Sequence, residues 1–141
     1  MGNDIVDGIA IRVGELFPGV EVHRNEIAQG FDASCFFILP LRTTQTAKLG
    51  DRYFRRYGFD VHYFPRDGAG ADAEIQEVAD TLLLGLEYIR VGDQLVRASR
   101  TECEVHDGVL HFMVDYDAFI LRERENVPYM MTLTQRQKSK G

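Results

Sequence analysis

Four histidines, two cysteines and a set of strand-borne carboxylates are the side chains of this sequence most able to do chemistry. His62 and His111 fall on the polar faces of two long alternating stretches, and His23 and His106 fall near strand ends. Two imidazoles and a thiol that met in space could bind zinc. The sequence has no H-x-x-x-H or C-x-x-C spacing, however, and that local spacing is what identifies a metal site in a sequence. The histidines therefore read as surface strand residues, and no metal ligand is assigned. Cys35 and Cys103 lie far apart inside apolar strand patterns and read as buried free thiols. Asp60, Asp115 and Asp117, with Glu104, are carboxylates of the kind used in acid–base catalysis. Their alternation along strands is the pattern of a solvated face. The stretch GAGAD (Gly68 to Asp72) precedes a helix but lacks the Lys-Ser/Thr ending of a phosphate loop and the G-x-G-x-x-G spacing. No catalytic residue and no cofactor follows from these patterns. The enzymatic alternative is a small metal-dependent hydrolase or nuclease using Asp60, Asp115 or Asp117 with His62 or His111.

Arg55 and Arg56, with Lys48 and Arg52, form a basic patch interleaved with Tyr53, Phe54 and Tyr57. Basic and aromatic residues together can bind single-stranded nucleic acid. The surroundings argue against it: residues 1–121 hold 11 basic and 20 acidic side chains, whereas residues 122–141 hold five and two. An acidic body with a small basic tail lacks the concentrated positive face that phosphate neutralisation needs, so no specific nucleic-acid binding is expected. Paired charges or an interface role suit the patch better. At 141 residues the chain suits one domain, expected over residues 1–121, followed by a basic, mobile tail over 122–141. With 45% hydrophobic and 27% charged residues the composition is globular, and no apolar run is long enough for a membrane span. The N-terminus has no basic n-region and carries Asp4 and Asp7 among its first apolar residues, so no signal peptide is expected and synthesis is placed in the cytoplasm.

The patch sits at the start of the stretch around which the chain is organised, Lys48 to Pro65. There Tyr57, Phe59, Val61 and Tyr63 alternate with Arg56, Gly58, Asp60 and His62, the pattern of a strand with one buried face. Upstream, Ile5, Ile9, Val13 and Leu16 recur at helical spacing behind a candidate N-cap, Asn3, until Pro18-Gly19 stops the helix. Gly8 and Gly14 weaken this helix intrinsically. Val20 to Ile27 reads as a short strand, Gln29 to Asp32 as a turn, SCFFILPL as a strand buried on both faces, and Thr43 to Ala47 as a polar loop. Ile75, Val78, Ala79, Leu82, Leu83 and Leu86 mark a second helix with Asp72 as its N-cap. Two hairpins follow, turning at Gly92-Asp93 and Asp107-Gly108. In the last strand Leu110, Phe112, Val114 and Tyr116 repeat the alternation of the organising stretch. The order α-β-β-β-α-β-β-β predicts an α+β domain with two helices packed on one face of a mostly antiparallel sheet.

The blocks NDIVDGIAIRV, EIAQGFDASCFFI, LGDRYFRRYGFDVHYFP, EIQEVADTLLLGLEYI and DGVLHFMVDYDAFI together resemble the small tail terminator family of Gram-positive phages and prophages. The resemblance spans residues 3–121. It implies a tail-terminator-like fold and a structural protein without catalysis. Such a protein assembles as a ring, usually a hexamer, that caps the tail tube, stops its polymerisation and joins it to the head connector. The partners implied are further copies of the chain, the tail tube protein, the head–tail connector proteins and, in contractile tails, the sheath. The implied locations are the bacterial host cytoplasm during assembly and then the virion tail. Asp51, Arg52, Tyr53, Arg55 and Arg56 are the candidates for subunit or tube contacts. A head–tail joining (neck) protein is the neighbouring alternative.

Overall fold

The computed structural model describes residues 1–24, 34–66 and 71–122. Its elements run α1 (Gly2–Leu16), β1 (Glu21–His23), β2 (Cys35–Ala47), β3 (Arg52–Phe64), α2 (Ala71–Gly85), β4 (Tyr88–Val91), β5 (Gln94–His106) and β6 (Val109–Leu121). This is the α+β order expected from the sequence. The strands lie in the spatial order β1-β2-β3-β6-β5-β4, antiparallel throughout except for the short parallel pair β1–β2. The chain leaves β3 through α2, starts again at the far edge with β4, and returns through β5 to lay β6 beside β3. The longest antiparallel pairings of the sheet, β2–β3 and β3–β6, therefore share β3 as the central strand.

The core forms where the alternating strands meet the helical stripes. Tyr57, Phe59, Val61 and Tyr63 of β3 face the same way as Leu110, Phe112, Val114 and Tyr116 of β6, and all eight are buried. Ile5, Ile9 and Val13 of α1 and Ile75, Val78, Ala79 and Leu82 of α2 complete one continuous cluster with them. Tyr116 is fully buried, and its hydroxyl donates to the Leu86 carbonyl at 2.7 Å, so the ring's polar end is satisfied inside the core. Tyr63 donates its hydroxyl to the Glu74 carboxylate in the first turns of α2, tying that helix to the central strand. The Asp107-Gly108 turn has both residues at positive φ (51° and 75°), the conformation a two-residue hairpin of the primed type requires.

Several local expectations shift. Helix α1 starts at Gly2, so Asn3 lies inside its first turn; the cap position is Met1, whose carbonyl accepts from the Ile5 N–H at 3.0 Å. Asp72 likewise lies inside the first turn of α2 rather than before it. Leu83 is on the exposed side of α2, while Leu86, just beyond the helix, is fully buried. The segment 43–47, expected as a loop, continues β2 as a strand exposed on both faces, because β3 offers it backbone partners from Tyr57 to Tyr53. Pro40 sits at the register shift between Pro40 and Thr43, an irregularity of the kind where proline is tolerated in a strand. That irregularity brings the Arg42 backbone over Gly58, where a Cβ would meet the Arg42 carbonyl at 3.2 Å and an Asp115 carboxylate oxygen at 2.9 Å. Residues 25–27 of the expected first strand, the expected turn at Gln29 to Asp32, positions 67–70 of the Gly/Asp-rich loop and the tail beyond Arg122 lie outside the described residues.

Two stability predictions follow from these contacts. A Cβ at Gly8 would lie 2.6 Å from the Arg90 carbonyl, whereas one at Gly14 meets nothing within 4 Å. Gly8→Ala should push α1 off β4 and cost about 1–3 kcal/mol, while Gly14→Ala should stabilise by about 0.5–1 kcal/mol; urea midpoints at unchanged slope check both. Burial, with the Glu74 hydrogen bond second, pushes the Tyr63 hydroxyl up to about 12, and burial raises Tyr116 as well. The unfolded chain releases these protons near the ordinary tyrosine value and the folded chain does not, so their contribution is intact below about pH 10 and lost as pH rises toward 12. Denaturation midpoints measured across that range should fall for the wild type and fall less steeply for Tyr63→Phe.

Candidate functional site

The helices cover only half the length of the central strands. Each of β2, β3 and β6 has 13 residues, about 40 Å of chain at the usual rise per residue. Burial on β3 begins at Tyr57, and every residue of β2 from Pro40 to Ala47 is exposed. The first part of β3 and the last part of β6 pair with each other and with β2 as a three-stranded arm that projects past the core. Among the described residues, β1 pairs with β2 only as far as Phe37, and β5 pairs with β6 only as far as Tyr116. Among the described residues, the outer edge of β2 and the outer edge of terminal β6 therefore flank the arm without a partner strand.

All five sequence-derived candidates lie on this arm, but alternation divides them between its faces. Tyr53 and Arg55 are on the face continuous with the core, next to Ala47, Gln45, Ala118 and Ile120. Arg55 donates to the Gln45 side chain at 2.6 Å and to the Tyr57 hydroxyl at 2.9 Å, which holds the guanidinium flat where the core ends. Arg52 and Arg56 are on the opposite face. Arg56 donates to both oxygens of Asp117 at 2.9 and 3.3 Å, and this pairing raises its pKa further. The cations Lys48 and Arg56 lie 5.9 and 5.8 Å from the Phe54 ring centre, and Phe54 packs edge-on against Phe119 at 5.2 Å. Asp51 closes the arm tip, its carbonyl accepting from the Arg122 N–H at 2.7 Å.

The structure adds apolar residues that the sequence reading passed over. Leu49 at the tip is 90% exposed, Leu121 74%, Phe119 72% and Leu41 55%, all on or beside the arm. Large apolar side chains this exposed are a common feature of contact surfaces. The available signal was the run Ala118 to Leu121, which stays apolar after the alternation of β6 has stopped.

On the body, the sheet face turned away from the helices carries a second constellation. Register places His62 directly opposite His111, with Glu104 opposite His111 on its other side. His62 Nε2 and His111 Nδ1 lie 2.9 and 3.1 Å from the same Asp60 oxygen, Oδ2, and the two rings are 4.2 Å apart. Asp60 is 8% exposed, and its other oxygen, Oδ1, is buried with no hydrogen-bond partner. His106 lies 5.6 Å from the His111 ring, and its Nε2 is 3.1 Å from a Glu104 oxygen. Asp115 and Asp117, the other carboxylates of the enzymatic alternative, sit lower on the same face; Asp117 is taken up by Arg56. His23 belongs elsewhere, stacked against Phe37 at 5.0 Å on the β1 side. Both cysteines are free, and burial raises the pKa of each thiol, which suppresses the thiolate. An open groove between α1 and the β4–β5 hairpin gathers Asp4, Asp7 and Glu15 with Arg12, Arg90 and Tyr88; no cysteine, histidine or serine lines it. No described helix is long and apolar enough to cross a membrane.

The sequence model of one protein family, described as phage tail terminator protein, matches residues 4–128. No curated protein matches the chain. One solved structure without a functional description aligns at a TM-score of 0.40 and 12% identity, over 89% of this chain and 99% of its own.

Because the arm contributes little to the core, its polar residues should be separable from folding. Arg56→Ala and Asp51→Ala should keep the circular dichroism spectrum and urea midpoint of the wild type. Phe112→Ala, in the body of the same β6, should lower stability by about 3–5 kcal/mol.

Proposed function

The chain belongs to the phage tail terminator family, and on that premise we propose that it closes into a ring, a hexamer as the family likeness implies, that caps the tail tube.

 The ring ends tube polymerisation and presents its other surface to the head connector and, where the tail contracts, to the last sheath ring. The observation that carries this reading is the arm with its two unlike open edges. A closed ring needs a heterologous interface, in which one patch meets a different patch on the neighbour. The outer edge of β2 and the terminal edge of β6 lie on opposite sides of β3, so one can add to the other in head-to-tail fashion. Charge favours further contacts between unlike surfaces of neighbouring copies. The arm carries Arg42, Lys48, Arg52, Arg55 and Arg56 against Asp51 and Asp117, whereas the helices display Asp4, Asp7, Asp72, Glu77 and Asp80 to solvent. Opposite patches on one chain steer copies together and set their orientation. An acidic body also suits a lumen through which DNA passes without adhering. In this role Asp51, Arg52, Tyr53, Arg55 and Arg56 make subunit or tube contacts, joined by Leu49, Phe119 and Leu121, and the protein performs no catalysis.

Light scattering of the protein alone and with purified tail tube protein tests this. A species near six times the chain mass, or tubes that stop growing when the protein is added, is the expected result. Leu49→Asp, Phe119→Asp and Arg56→Ala should each weaken that assembly by about tenfold or more while the monomer stays folded. A monomer that neither binds nor limits tubes, but captures connector proteins, would replace the terminator role with that of a neck protein.

A further inference from the structure

We propose that Asp60, His62 and His111 form a binding site for a divalent first-row transition metal, with zinc the best match, on the sheet face turned away from the helices. The site stands independently of the ring reading, because it lies on the body and not on the arm.

The placement comes from register. Asp60 and His62 are two residues apart on β3 and so share a face, and antiparallel pairing sets His111 of β6 directly opposite His62. The donors thus converge across two strands, which is why no local sequence spacing announces them. Asp60 Oδ2, His62 Nε2 and His111 Nδ1 lie within 4.8 Å of one another. Ligand atoms of one tetrahedral zinc are about 3.3 Å apart, given bonds of about 2.0–2.1 Å. Both imidazoles already approach the carboxylate at about that separation, so the remaining adjustment is a closing of the two ring nitrogens.

Two nitrogens and one carboxylate are the donor set of zinc and its neighbours, rather than of calcium or magnesium, which take oxygen ligands. The buried Oδ1 of Asp60 has no hydrogen-bond partner. Two ring N–H groups on a single oxygen leave the other oxygen of a buried carboxylate unsatisfied, a costly arrangement. A cation between the rings and the carboxylate replaces both N–H contacts at once, and a turn of the carboxylate brings Oδ1 toward it. Glu104, opposite His111 and in contact with His106, adds negative charge at the rim. His62 and His111 are each about one-fifth exposed, so the remaining coordination positions open to water. A bound ion would clip β3 to β6 across the body.

The test uses the untagged full chain after chelator treatment. Calorimetry with zinc chloride and visible absorption with cobalt chloride should show one equivalent bound, with the cobalt spectrum of a nitrogen–oxygen site. His62→Gln, His111→Gln and Asp60→Asn should each lower the affinity at least about tenfold, and zinc should raise the melting temperature of the wild type but not of His111→Gln. In the wild type, zinc should shift the imidazole NMR signals of His62 and His111 and leave those of His23 in place, a readout that needs no variant to fold. Absence of stoichiometric binding at millimolar zinc would overturn the proposal. So would affinity unchanged in both histidine variants, or shifts confined to His106; the trio would then be a hydrogen-bonded cluster only.

Discussion

The pairing of β3 with β6 is the constraint on which the rest of this structure depends. It is non-local, joining Arg52 to Leu121 and Tyr63 to Leu110 across the intervening α2 and β4–β5 hairpin. Once formed, it fixes both faces of the sheet over its whole length. On one face it aligns Tyr57, Phe59, Val61 and Tyr63 with Tyr116, Val114, Phe112 and Leu110, the surface on which both helices settle. On the other it aligns His62 with His111 and Arg56 with Asp117. A shift of one residue would exchange these faces, burying the ionisable row and exposing the aromatic one. The cost of that exchange is what pins the register.

The same pairing explains why one continuous strand can serve two purposes. Over the body half of β3 every second side chain is removed from water, and the helices gain their stability from covering it. Past Tyr57 the core-side positions become Arg55 and Tyr53, and past Tyr116 they become Ala118 and Ile120. Among the described residues no helix covers these positions, and the backbone ladder and cross-strand contacts hold the arm. The Tyr116 hydroxyl on the Leu86 carbonyl and the Arg55 guanidinium on the Tyr57 hydroxyl mark the boundary between the two regimes.

What the sequence revealed and what it hid divide along this boundary. Period-two alternation in β3 and β6 and period-three-and-four spacing in both helices were legible because burial on one face imposes them. The Asp107-Gly108 turn was legible because its backbone conformation restricts the residues allowed there. The strand character of Thr43 to Ala47 was not, since exposure on both faces removes the hydrophobic period and leaves only threonines and glutamine. Leu49, Phe119 and Leu121 were passed over for a related reason: in a sequence, an apolar residue left exposed looks like one buried in the core. The Asp60–His62–His111 cluster required a cross-strand register that no local spacing encodes.

An arm with two open edges carries a risk that the sequence visibly manages. Unpartnered strand edges pair readily with any exposed strand, and long flat ones aggregate. Here β2 is broken by Pro40 and the register shift before Thr43, which bends the edge and interrupts its hydrogen-bonding ladder. Cations then stand along the arm at Arg42, Lys48 and Arg52, so an approaching copy of the same edge meets like charge. Self-pairing of identical edges is disfavoured, while pairing with an unlike, acidic surface is not. On the ring reading, the features that disfavour self-pairing of the edges are the same ones that favour an unlike partner.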